Sequence, residues 1–359
     1  MLGRPYDFAS DNAAGVDPRI LAAITDSNFG MTSPYGADEL SLKLNALYSE
    51  VFERDAFVFV TPTGTAANGL ALGAVTPSYG AIFCHENSHI VTTECGAPEF
   101  FSCGARLIPL PGGNGKVSDK TFKEALTPYL KRNNHHLRAS TISLTQATEA
   151  GTTYDCAEVK EISQIAHSAG MTLHMDGARF ANAMVQLGRT PAEMTWKSGV
   201  DILSLGVTKN GGASVEAVVT FDEKSAETLR YLHKRAGFLF SKMRFASAQL
   251  HAYVTDGIWI ENAHKANANA ARLARALAVR DDVTFEWEVR TNQIFAHLPM
   301  ELTASLAKKD IVFRPWPHKD GDLFRIVCSF NDADDLIARF EQVVSGADSV
   351  PSGLRLDTE

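Results

Sequence analysis

From about residue 56 to residue 221, short apolar runs alternate with segments whose apolar residues recur every three or four positions. The runs are Ala56–Val60, Ala81–Cys84, Arg106–Pro109, Ala139–Leu144, Met171–Met175, Ile202–Leu205 and Ala217–Phe221. Their length suits buried strands, and the alternation predicts an α/β domain with a mostly parallel sheet. The clearest helix pattern precedes Met171. Asp155 and Glu158 form a capping pair, Val159, Ile162, Ile165, Ala166 and Ala169 follow on one face, and Gly170 supplies the stop.

Beyond this region the rhythm changes. Residues 223 to 280 read as mainly helical, with an Ala-rich stretch from Asn262 to Val279. Strand patterns return at Val283–Val289, Gln293–His297, Ile311–Arg314 and Leu323–Ser329, around helical stretches at Leu302–Lys308 and Asp332–Val344. A small C-terminal α+β domain is therefore expected after a large one, with the change near residue 250. The division is an N-terminal arm (1–15), a large domain (16–250), a small domain (251–345) and a loose tail (346–359).

Composition mainly excludes. A net charge of −8 and no dense window of Lys and Arg argue against a nucleic-acid or anionic-membrane partner. No apolar run approaches about 20 residues, so no membrane span is expected. The opening residues lack the apolar core of a secretory signal, and the five cysteines form no C-x-x-C pair. A soluble cytoplasmic protein without a disulfide framework is the expectation. Gly112–Lys116 lacks the spacing of a phosphate loop, and no G-x-G-x-x-G follows a strand. Asn133-Asn134-His135-His136 lacks metal-ligand spacing, so no metal is expected.

Three strings carry candidate chemistry. Thr61 to Asn68 joins a strand to a helix through Gly64, and free amides there make an anion site; read alone, the string is equally a helix cap. His174 to Arg179 places Asp176 at a strand end, where a carboxylate can keep a pyridine nitrogen protonated or simply cap the next turn. Ser204 to Gly212 places Lys209 between an apolar strand and a Gly-rich turn, where desolvation favours the nucleophilic amine; a surface lysine is the plainer alternative.

In chain order these strings resemble the fold-type I pyridoxal phosphate enzymes, and their wording resembles the threonine aldolase (β-hydroxy-α-amino acid aldolase) family. The resemblance runs from Phe8–Asn12 through Tyr35–Asp38, Gly64–Asn68, His89-Ile90, His174–Arg179 and Thr208–Gly211 to Lys242–Arg244 and Phe324–Ser329. It implies that Lys209 holds pyridoxal phosphate as a Schiff base, Asp176 pairs with the ring nitrogen and Arg179 with the phenolic oxygen. Gly64 and Thr65 would hold the phosphate, which Arg244 would reach from a neighbouring subunit. His89 would stack on the ring near the substrate hydroxyl, and Ser10 and Arg325 would bind the substrate carboxylate, for which an arginine fork is apt.

One departure stands out. Many members carry a second active-site histidine in a segment resembling Glu-Asn-Thr-His-Asn, where this chain has Thr145–Glu149 and thus Thr148 among its substrate-binding positions. Proton transfer then falls to His89, or to Glu149 or Glu94, and restoring His at 148 is expected to alter the threo/erythro ratio. The implied activity is retro-aldol cleavage of L-threonine, L-allo-threonine or phenylserine to glycine and an aldehyde, by a homodimer or homotetramer with sites at the subunit interface. The rivals are a β-eliminating or dehydrating lyase on the same scaffold and a catalytically silent cofactor-binding protein.

Overall fold

The computed structural model describes residues 8–130, 134–317 and 321–346. The first seven residues of the expected arm, Asn133 and the tail beyond Gly346 lie outside the described residues. All seven apolar runs form strands: β1 (Phe57–Thr61), β2 (Gly80–His85), β3 (Arg106–Leu110), β4 (Arg138–Thr145), β5 (Thr172–Gly177), β6 (Ile202–Leu205) and β7 (Glu216–Thr220). They make one sheet of order β1-β7-β6-β5-β4-β2-β3, parallel except that β7 runs against both β6 and β1. The inner strands are buried on both faces, which is why they read as continuous apolar runs rather than alternating ones. The expected capping box forms, with Asp155 and Glu158 bonding each other's backbone at the start of the helix Cys156–Ser168.

The register sets the chemistry. Because β7 reverses twice, β1 points the same way as β2, β4, β5 and β6, so His85, Thr145, Gly177, Leu205 and Thr61 end on one edge. The helix Gly64–Val75 leaves from that edge and packs closely under Phe101: a Cβ on Gly73 would lie 2.7 Å from the Phe101 carbonyl oxygen.

A second, antiparallel sheet has order β10-β11-β9-β8, with β8 (Thr284–Phe285), β9 (Gln293–His297), β10 (Arg314–Pro315) and β11 (Leu323–Val327). Three strands are shorter than their patterns, β11 by the last two residues of Leu323–Ser329. Val283–Val289 pairs only over β8, and its Trp287 instead packs edge-on against Phe295 at 4.8 Å. Ile311–Arg314 shortens to β10 because Phe8 takes the neighbouring backbone slot, donating to the Val312 carbonyl and accepting from the Val327 amide. The main apolar core lies on the large sheet, with two smaller clusters beside it around Leu70 and Ile82, and a separate core forms around Phe8, Ile294, Ile326 and Phe340. The helix Ile258–Ala278 runs from the main core, through Ile258, Trp259 and Ala263, into the separate one, through Ala270, Leu273 and Leu277. Among the described residues no helix is long and apolar enough to cross a membrane.

Candidate active site

Where the strand ends meet, a cleft of about 750 Å³ opens, with Lys209 on its floor. The chain reaches Lys209 from β6 through Gly206, where a Cβ would sit 2.3 Å from the Ala178 carbonyl, so glycine is required by close approach. The turn Thr208–Asn210 is then pinned: Asn210 Nδ2 donates to Tyr253 Oη and the Trp259 carbonyl, each at 2.9 Å, and Asn262 Nδ2 donates to the Asn210 carbonyl at 3.0 Å. Glu216, opening β7, accepts from the Val207 and Thr208 amides. Burial, then Arg179, lower the Lys209 amine below its ordinary value, while Asp11, Asp176 and Glu216 pull it back up. Burial holds Glu216 up at about 7.

Asp176, buried at the end of β5, accepts from the Ala178 amide at 3.0 Å and from Asn68 Nδ2 at 2.9 Å. Beneath it His174 bridges Ser143 and Ser204, at 2.9 Å each, and burial pushes it down to about 4, so the floor is neutral there. Opposite, Thr63 caps the helix Gly64–Val75 by accepting from the Ala66 amide at 3.1 Å. The amides of Gly64 and Thr65 make no hydrogen bond to a described residue, both residues line the cleft, and the Cβ direction of Gly64 is open space. That is an anion site at a helix N-terminus. An amine, a fixed carboxylate and open amides on one cleft fit a phosphorylated pyridine aldehyde.

His89, at the mouth, starts the helix His89–Thr92; its amide donates to Glu149 Oε1 and its Nδ1 meets Glu94 Oε1, both at 2.7 Å. The bond to Glu94 raises the His89 pKa, with Asp176 adding to it and burial and Lys209 opposing. Burial and then Asp176 push Glu149 up to about 7.

Two arginines lie beyond the residues that line the cleft. Arg179 donates to both oxygens of Asp11 (Nε at 2.7 Å, Nη2 at 2.9 Å), and Asn292 Nδ2 adds a bond at 3.0 Å. Burial raises the Asp11 carboxyl, but Arg179, Lys209 and these hydrogen bonds outweigh it and hold the group low. Arg325, on β11, lies over the Trp316 ring at 5.1 Å with its Nε buried and unpartnered. Burial, then Arg179, push it down to about 10.

The structure thus brings Lys209, His89, Asp176, Gly64 and Thr65 to one cleft, with Arg179 coupled electrostatically to Lys209 and Arg325 to Arg179. Three candidates lie elsewhere. Ser10 accepts from the Asn12 amide at 3.2 Å and faces a separate polar pocket with Ser329 and Asn331, while Asn12 borders the cleft. Thr148 is fully buried in a turn, where its hydroxyl meets Thr152 Oγ1 at 2.8 Å and backs onto Gly115. Arg244 donates to the Gly30 carbonyl at 3.1 Å, away from this chain's cleft. Asn68, Asp11, Asn292 and Glu216 had no role assigned from the sequence. Asn68 closes the string Thr61–Asn68, Asp11 lies within Phe8–Asn12, and Glu216 is a charge opening an apolar run. Asn292 carried no signal. No cluster of three metal-ligating side chains occurs among the described residues.

Comparison with known proteins points to one family. A family model described as β-eliminating lyase matches residues 7–300. A low-specificity L-threonine aldolase from Pseudomonas sp. (strain NCIMB 10558) is 39% identical over 332 residues, covering 92% of this chain and 94% of the relative. Its counterpart from Pseudomonas aeruginosa is 38% identical, covering 97% of this chain and 100% of the relative. Among solved structures, Leishmania major threonine aldolase superposes with a TM-score of 0.88 at 27% identity, covering 96% of this chain and 99% of that one.

Proposed function

Because this chain belongs to the threonine aldolase family, within the β-eliminating lyases, we propose that its cleft binds pyridoxal phosphate and cleaves L-threonine-type β-hydroxy-α-amino acids to glycine and an aldehyde. The observation that carries this reading is the convergence of the Lys209 amine, the Asp176 carboxylate and the open Gly64 and Thr65 amides on one cleft.

When bound, the cofactor supplies the electron sink for a breaking Cα–Cβ bond. The protein's own groups do the rest. Lys209, whose pKa burial lowers, offers the amine that would bond the aldehyde. Asp176, held by Asn68 and the Ala178 amide, keeps a proton on the ring nitrogen. Gly64 and Thr65 would take the phosphate, and Arg179, with Nε and Nη2 committed to Asp11, would keep Nη1 for the phenolic oxygen. Arg325 receives the substrate carboxylate on its unsatisfied guanidinium and so fixes the orientation of the bond to be broken. His89, with Nδ1 on Glu94, takes the β-hydroxyl proton at Nε2, since Thr148 is sealed away.

Arg244 serves the phosphate of a second copy, and the loop that carries Phe29 and the fully exposed Met31 is the surface across which copies pair as a dimer or tetramer. All five cysteines are free thiols, in keeping with a reducing cytoplasm. The test is product analysis on the purified protein with pyridoxal phosphate and L-threonine, L-allo-threonine or L-phenylserine. Glycine and the matching aldehyde are expected; a keto acid with ammonia would establish elimination instead.

A further inference from the structure

Asn68 lies on the helix Gly64–Val75, almost completely buried behind the amides that face the anion site. Its Nδ2 donates one hydrogen to Asp176 Oδ2 at 2.9 Å and the other to Glu94 Oε1 at 2.8 Å. The same Glu94 oxygen meets His89 Nδ1 at 2.7 Å. One continuous line of contacts, Asp176–Asn68–Glu94–His89, therefore joins the end of β5 to the group at the cleft mouth.

The line is poorly built for stability. Asn68 Oδ1 and Glu94 Oε2 are both buried without a partner. Each such atom costs about 1–3 kcal/mol, a penalty that the two hydrogen bonds from Nδ2 must offset. Nor can the carboxamide turn over, because that would set its oxygen against two carboxylates. Two unsatisfied atoms retained around one doubly committed nitrogen indicate that the arrangement is kept for what it does to the acids.

We propose that Asn68 is a positioning residue that ties the charge on Asp176 to the proton on His89. Its amide nitrogen fixes Glu94 so that the Glu94 oxygen receives the Nδ1 proton, which leaves Nε2 of His89 as the nitrogen offered to the substrate. No proton passes through the amide. The link is a rigid donor with both hydrogens committed, so a change of charge at one acid is felt by the other and by the ring. This rests on the aldolase reading of His89 and adds the device that sets its tautomer. The groups facing His89 are Glu94 on its own segment, Asp176 from β5, Lys209 from the turn after β6, and Glu149, which accepts its backbone amide.

The experiment is ¹⁵N NMR of histidine-labelled holoenzyme, reading the His89 titration midpoint and tautomer in the wild type, Asn68→Ala and the isosteric Asn68→Asp, with His89→Gln assigning the signal. In the wild type the neutral ring should carry its proton on Nδ1. Without the Asn68 donor, His89 alone bonds Glu94 Oε1, and the midpoint should rise by about one pH unit in Asn68→Ala and further in Asn68→Asp, which adds an acid. The acid limb of kcat/KM should move with it, and Glu94→Gln should move the midpoint down. A neutral ring protonated on Nε2 in the wild type overturns the proposal. So does a midpoint within about 0.2 unit of wild type in the Asn68 variants that fold, as judged by near-ultraviolet circular dichroism. If Asn68→Ala does not fold, Asn68→Asp decides. Failure of the wild type to release glycine strikes the aldolase reading alone, since the ring titration is measured without turnover.

Discussion

Replacing Arg325 with Met should destroy catalysis and strengthen the apoprotein fold. The guanidinium stands opposite Arg314 across the β10–β11 pair, its Nε is buried without a partner, and burial, Arg179 and Arg314 together hold it at about 10 against an ordinary 12.5. At about 1.4 kcal/mol per pH unit, discounted by half for the part still open to water, this opposes the folded state by about 1–2 kcal/mol. The sign follows from the direction: the charged form is disfavoured on folding, so the penalty is complete at neutral pH and lifts only as pH rises through 10 toward 12.5. Met keeps the contact with Trp316 and removes the charge. Urea denaturation of the apoprotein at pH 7 should show a gain of about 1 kcal/mol. With substrate, two charge-assisted hydrogen bonds to the carboxylate are lost, about 3–4 kcal/mol, so kcat/KM should fall by about 10²- to 10³-fold. Unchanged kcat/KM would remove Arg325 from the substrate site. An apoprotein weakened by more than about 1 kcal/mol would mean that the cation braces the fold.

Lys209→Ala should abolish the borohydride-reducible cofactor adduct while leaving the apoprotein melting temperature equal or higher; an adduct that survives would implicate another lysine. Glu149→Gln should stabilise by on the order of 1–3 kcal/mol at pH 8 and little at pH 5. The reason is that a carboxyl raised from 4.5 to about 7 costs stability progressively as pH climbs through 4.5, where the unfolded chain ionises, and in full only above 7; an equal gain at pH 5 in denaturant titrations would contradict this. Thr148→His, which the family resemblance suggests as a way to change stereochemical preference, should instead overpack the turn against Gly115 and Ala150 and cost about 1–3 kcal/mol, with the threo/erythro product ratio unmoved. A variant of wild-type stability with an altered ratio would show that the side chain at 148 reaches the cleft.

The five inner strands of the large sheet were legible because burial on both faces writes an unbroken apolar run, and the helix Cys156–Ser168 because its cap and its face agree. Lys209, Asp176 and the Gly64 turn were legible because each stands where an apolar run stops. The helices Pro18–Asp26 and Glu39–Phe52 were not, since Leu21 and Leu42 point to solvent and blur the period. A motif match places Thr148 in a string but says nothing of where its side chain turns, and the structure turns it inward. The Asp11–Arg179 and Asn68–Glu94 contacts join residues with no shared spacing, so neither a period nor a motif could announce them.

Asp11 reaches Arg179 across 168 positions and Asn292 across 281. A chain whose sheet has formed but whose leading segment has not docked would gather Lys209, Arg179 and Arg325 with one counter-ion missing, and like charges would hold the pocket open. Docking of the leading segment would thus neutralise this cluster, which ties the charge balance beside Lys209 to the placing of Asp11.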